Sequence, residues 1–85
     1  MRKDLIIILL GSRIKEAMSV QEVLTRYGGI IKTRLGIHDP SCAKCGDSGL
    51  IVLELLPATS KIKKLKSDLE ALCGVKVKCV SLSDR

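Results

Sequence analysis

Aromatic side chains are almost missing from these 85 residues: tryptophan and phenylalanine are absent, and Tyr27 is the single tyrosine. The core must therefore be aliphatic, and no platform exists for stacking unpaired bases. Histidine occurs once, as His38, so no Ser/His/Asp constellation can be argued. Asp39 and Asp47 stand apart in one loop, and nothing fixes their separation for acid/base work. A Gly-rich phosphate loop is also lacking. Acidic residues number 9 against 15 lysines and arginines, a net charge of +6. That excess permits nucleic-acid contact without demanding it. With no helix-turn-helix pattern, reading DNA would need a partner protein. Long apolar runs are absent too. Met1-Arg2-Lys3 followed by Leu5–Leu10 imitates a signal peptide. A signal h-region needs roughly 7–15 apolar residues and a membrane span about 20, and no small-residue cleavage site follows. The expectation is a buried first strand in a cytoplasmic protein with no membrane association, its four cysteines reduced unless a metal or redox role uses them.

What is present is aliphatic patterning. Gly49–Leu56 is apolar on both faces except at Glu54, with Asp47-Ser48 before it and Pro57 after. It reads as a central strand covered on both sides. Leu5–Leu10 reads the same way and should lie beside it. Gly11–Met18 is mixed, a loop or an irregular helix start. Ser19-Val20-Gln21-Glu22 has capping-box form, with Ser19 as N-cap. Helix one then runs from about Val20 to Tyr27, with Val20, Val23, Leu24 and Tyr27 on one face and Gly28-Gly29 as the stop. Strand two is Ile30–Ile37, with Thr33 sharing a face with Ile31, Leu35 and Ile37. His38–Ser48 is a loop. Helix two follows Pro57, capped by Thr59 or Ser60, with Ile62, Leu65, Leu69 and Leu72 as its apolar stripe and Gly74 at its end. Val75–Leu82 is the last strand.

Strand, helix, strand, strand, helix, strand in one domain, residues 1–85, with right-handed crossovers, favours an α+β ferredoxin-like βαββαβ sandwich. Its four-stranded antiparallel sheet takes the order four, one, three, two, with two helices on one face. The lysine-bearing strands then fall at the edges, where lysine discourages stray pairing.

The run Tyr27-Gly28-Gly29-Ile30-Ile31-Lys32-Thr33-Arg34-Leu35-Gly36-Ile37 resembles the second-strand signature of the iron-only hydrogenase system regulators. The helix before it, Val20–Arg26, and the Gly74-Val75 turn fit as well. These are ACT-like proteins, related in fold to the C-terminal domain of the nickel-responsive repressor. The resemblance implies a small oligomeric regulatory or sensing module, a homo-dimer or tetramer that binds a small effector and is not an enzyme. ACT-like modules usually hold ligands where the loop after strand one meets a neighbouring subunit, here at Gly11, Ser12 and Arg13. That loop lacks the Asn/Asp-x-Pro-Gly pattern associated with amino-acid ligands.

The sequence departs from the family in the loop after strand two. His38, Cys42 and Cys45 stand as H-x3-C-x2-C, and such a knuckle can present two thiolates and an imidazole to zinc or another soft divalent metal. A redox pair and a solvent loop with incidental cysteines are the alternatives. Cys73 ends helix two at the same end of the sheet, whereas Cys79 points inward with Val75 and Val77. Lys61, Lys63, Lys64 and Lys66 crowd the start of helix two, where the dipole disfavours cations, and read as a solvated face.

Both helices cover one face of the sheet, so the other keeps half of each central strand. On strand three that half is Leu50, Val52, Glu54 and Leu56; on strand one it is either Leu5, Ile7 and Leu9 or Ile6, Ile8 and Leu10. Such a patch exceeds what a monomer usually exposes, so this face should be a subunit interface. Lys32, Arg34, Lys76 and Lys78 are expected to rim it, and Glu54 to pair with Arg34 or with a base of the other subunit.

Overall fold

A computed structural model describes residues 2–10, 14–37 and 49–84. The elements are β1 (Arg2–Leu10), α1 (Ile14–Arg26), a 3-10 turn (Gly28–Ile30), β2 (Ile31–Ile37), β3 (Gly49–Leu55), α2 (Thr59–Glu70) and β4 (Val75–Ser83). The strands form one sheet in the order β2-β3-β1-β4, with every pair antiparallel. This is the α+β ferredoxin-like arrangement, with the two double-sided aliphatic strands at the centre.

The core lies between the sheet and the helices. Ile6, Ile8 and Leu53 from the sheet meet Val20, Leu24, Leu65 and Leu69 from the helices, all below 2% exposure. Burying each such side chain contributes about 1.5–3 kcal/mol. The register settles which half of β1 faces the helices: Asp4, Ile6, Ile8 and Leu10 are buried. The helix layer is tied by the Tyr27 hydroxyl, which donates to Asp68 Oδ2 at 2.6 Å. That bond keeps the phenol protonated to higher pH than usual, and burial and the Asp68 charge add to the effect.

Several boundaries differ from the sequence reading. β1 starts at Arg2 rather than Leu5, because Asp4 is anchored among polar partners instead of fraying into solvent. α1 starts at Ile14, so Ser19 lies inside the helix and is no N-cap. Lys15-Glu16-Ala17-Met18 are good helix formers, and a helix once begun extends through them at little cost. Gly28 and Gly29 do not end α1 in a left-handed cap; they open the 3-10 turn, which buries Ile30. Ile30 therefore belongs to that turn and not to β2. The N-cap of α2 is Ala58, with no side-chain bond to the helix, so neither Thr59 nor Ser60 caps it. Gly74 is the one described glycine at positive φ, 73°, where the chain turns from α2 into β4.

β2 carries a register irregularity between Ile31 and Thr33. Ile31 lies opposite Leu55 and packs against the core, while Thr33 lies opposite Glu54 on the other face. The expected shared face of Ile31 and Thr33 is thus split by the bulge, as an extra residue in one strand requires.

Candidate functional site

The face of the sheet away from the helices is the most unusual surface among the described residues. Alternation puts Leu5, Ile7 and Leu9 of β1 there, opposite Glu54, Val52 and Leu50 of β3. β2 adds Leu35 opposite Val52, and β4 adds Val80 opposite Leu5 and Lys78 opposite Ile7. Leu9, Leu35, Leu56 and Leu82 keep 50%, 55%, 42% and 56% of their surface exposed. Lys76 and Lys78 line the β4 side of this apolar field.

Glu54 sits inside the field with three partners. Lys3 Nζ donates to Oε2 at 2.7 Å, Lys32 Nζ lies 3.9 Å from the same oxygen, and Thr33 Oγ1 donates to Oε1 at 3.3 Å. The Lys3 hydrogen bond, helped by the Lys3 and Lys32 charges, holds the Glu54 carboxyl below its ordinary pKa against the opposing pull of desolvation. The same bond raises the pKa of Lys3. Both groups are charged at neutral pH.

The expected pairing of Glu54 with Arg34 within the chain is corrected. Arg34 lies opposite Leu53, whose side chain is in the core, so it is directed to the helix side of the sheet and does not rim the open face. The bulge explains the exchange: it brings Lys32 and Thr33 together beside Glu54. Lys3 was passed over in the sequence because it precedes the aliphatic run; its signal was the odd-numbered spacing it shares with Leu5, Ile7 and Leu9.

Gly11, Ser12 and Arg13, and the metal candidates His38, Cys42 and Cys45, lie outside the described residues. Among the described residues no group of three or more His, Cys, Asp or Glu side chains could hold a metal. Cys73 is exposed and Cys79 half-buried, both as free thiols, and burial pushes the Cys79 thiol up. No described helix is long and apolar enough to cross a membrane.

No protein-family model and no curated protein matches the chain. Solved structures do. The uncharacterized protein TM1266 from Thermotoga maritima aligns with a TM-score of 0.83 at 25% identity, covering 98% of this chain and 100% of that one. CPII from Thiomonas intermedia K12, bound to ADP, AMP and acetate, aligns with a TM-score of 0.45 at 22% identity over 96% of this chain and 88% of that one. The apo form of CPII, a nitrogen regulatory PII-like protein, gives 0.40 at 23% identity over 95% and 90%. The likeness of fold rests on the first of these.

Proposed function

We propose that this chain is a single ACT-like domain acting as a small, non-catalytic regulatory or sensing module of the iron-only hydrogenase system regulator kind. It works as a homo-oligomer and takes an unidentified small effector near Gly11, Ser12 and Arg13. The Tyr27–Ile37 pattern supports the family, and the exposed aliphatic face supports assembly. That face carries the reading: Leu9 and Leu35 are half-exposed on a surface that is otherwise aliphatic around one neutralised acid. A second copy fits it because the aliphatic centre matches itself, and each copy brings one acid, Glu54, and one base, Lys78, on opposite sides of β1. Glu54 lies opposite Leu5 on one side of β1, and Lys78 lies opposite Ile7 on the other. A twofold axis along the face between Leu5 and Ile7 sets Glu54 of one copy over Lys78 of its partner, twice.

Sedimentation at ~tens of micromolar, where a stable interface holds, tests this. The wild type should be a dimer or tetramer, and Val52→Lys should give monomer. Glu54→Lys and Lys78→Glu should each weaken assembly and together restore it. A monomeric wild type overturns the reading.

The second reading is a metal or redox sensor built on His38, Cys42 and Cys45, favoured by their spacing. Protein purified without chelator should then carry zinc or another soft divalent ion. Cys42→Ser with Cys45→Ser should remove it; a metal content unchanged by that pair excludes the reading.

A further inference from the structure

The two edges of the sheet are built differently. β2 is interrupted by the irregularity between Ile31 and Thr33 and contains Gly36. β4 has neither interruption. Its nine residues pair with β1 without a register shift, from Ser83 opposite Arg2 to Val75 opposite Leu10, and none is proline or glycine. On its outer side no strand of the described sheet pairs with it. A long regular edge with free N–H and C=O groups is a template for one more strand. Its side chains are incompletely covered as well. Val75, Val77 and Cys79 on the helix side are half-buried, whereas Ile6 and Ile8 of the adjacent β1 are fully buried.

A second β4 fits this edge. Antiparallel pairing of two identical strands runs about a twofold axis, and like faces meet only if the axis passes through a residue. Cys79 is the middle residue of β4, so pairing over the whole strand sets Cys79 opposite the partner's Cys79. Lys76 then faces the partner's Leu82, and Lys78 faces the partner's Val80. No lysine meets a lysine. An axis at Lys78 sets that residue against the partner's Lys78, and an axis at Val77 sets Lys76 against the partner's Lys78. Like charges directly opposite are destabilising, so the two lysines reject these registers and leave the full one.

The helix above the edge agrees with the same axis. Lys66 and Glu70, one turn apart on α2, are the α2 charges that act on Cys79. A twofold axis at Cys79 lays α2 antiparallel to its copy. Lys66 then approaches the partner's Glu70, and Glu70 the partner's Lys66.

We propose that β4 is a second contact between copies of this chain, pairing antiparallel with the partner's β4 about Cys79 to make one sheet of eight strands, four from each copy. It is independent of the open face and smaller. One strand edge covers less than the ~1,200–2,000 Å² of a stable interface, so the contact holds at high concentration and joins subunits already assembled through the open face. Val52→Lys is therefore monomeric at tens of micromolar and dimeric at about 1 mM.

The test uses the full chain carrying Val52→Lys, which removes the open-face contact, and Cys42→Ser, Cys45→Ser and Cys73→Ser, which leave Cys79 as its one thiol. Sedimentation at about 1 mM should show a dimer. Val80→Lys should weaken that dimer about tenfold, because it sets a lysine opposite Lys78 twice. Lys66→Glu and Glu70→Lys should each weaken it and together restore it. Directly opposite residues have Cα atoms about 4.5–5.5 Å apart, within disulfide range, so oxidised glutathione should link the dimer through Cys79. A monomer at about 1 mM, or a dimer indifferent to Val80→Lys, overturns the proposal. So does a dimer whose Cys79 takes up glutathione without linking. None of these outcomes bears on the open-face contact, which is absent from the protein tested.

Discussion

On β1, Ile6 and Ile8 lose all exposure to solvent, while Leu9, the next residue, keeps 50% of its surface exposed. The residues are of one chemical kind and share one strand. Only the layer beyond them differs: two helices on one side, and no other element of the described chain on the other. Aliphatic character therefore says how much a strand wants to be covered, and topology says by what. The covered face is complete within the chain. The open face has the composition of a core and the exposure of a surface, and that mismatch is what makes it a candidate interface.

The sharpest way to break this contrast is to cut the same way on both faces of β3. Leu53→Ala empties a fully buried position and should cost about 2–5 kcal/mol in urea unfolding. Val52→Ala, its neighbour on the open face, should cost about 1 kcal/mol or less when unfolding is measured on dilute monomer. Equal losses would show the two faces to be equivalently packed.

Next in size is Tyr27→Phe, which removes the bond to Asp68 and should lower the urea midpoint by less than Leu53→Ala does. The phenol pKa is raised in the fold, so its contribution is present below the ordinary value of 10.0 and is lost as pH rises through the folded value. Wild type and variant should converge in strong alkali. A difference that persists there would mean the ring, rather than the hydrogen bond, holds the helices.

The smallest effect belongs to Glu54→Gln on the open face. The Glu54 pKa is depressed in the fold, so its contribution is present above the ordinary value of 4.5 and is lost as pH falls through the folded value. Lys3 sets the other limit: its pKa is raised, so its share fades as pH rises beyond 10.5. The wild-type advantage in urea midpoint should be flat near neutrality and shrink in acid. An advantage that grows on acidification would mean that the Lys3 bond does not form.

The strand order was legible from the sequence because two strands are aliphatic on both sides and two carry lysines, and right-handed connections leave few ways to arrange them. The helix starts were not. Ser19 and Glu22 have the form of a cap, yet α1 begins at Ile14 because the preceding residues favour helix too. Of the open face, Leu50, Val52 and Glu54 could be read by alternation on β3. Of the partners of Glu54, Lys3 had a signal in the spacing it shares with Leu5, Ile7 and Leu9. Thr33 beside Lys32 did not, because a bulge in β2 shifts the parity of the residues before it and periodicity has no term for an inserted residue. Asp4 was missed for a related reason. Its partner Ser81 is adjacent only after β1 and β4 have paired.

That pairing also shapes how the chain reaches its fold. β1 precedes the other three strands of the sheet in the chain and lies at its centre, with Asp4 beside Leu55 on one side and Ser81 on the other. During synthesis Ile6, Ile7 and Ile8 must wait for both neighbours, and the second comes from the final strand. Contacts this distant along the chain slow folding and leave unpaired aliphatic edges exposed in the meantime. A ribosome-bound fragment that stops before Val75 should thus be a substrate for chaperones, whereas release of β4 should let the sheet close around its own beginning.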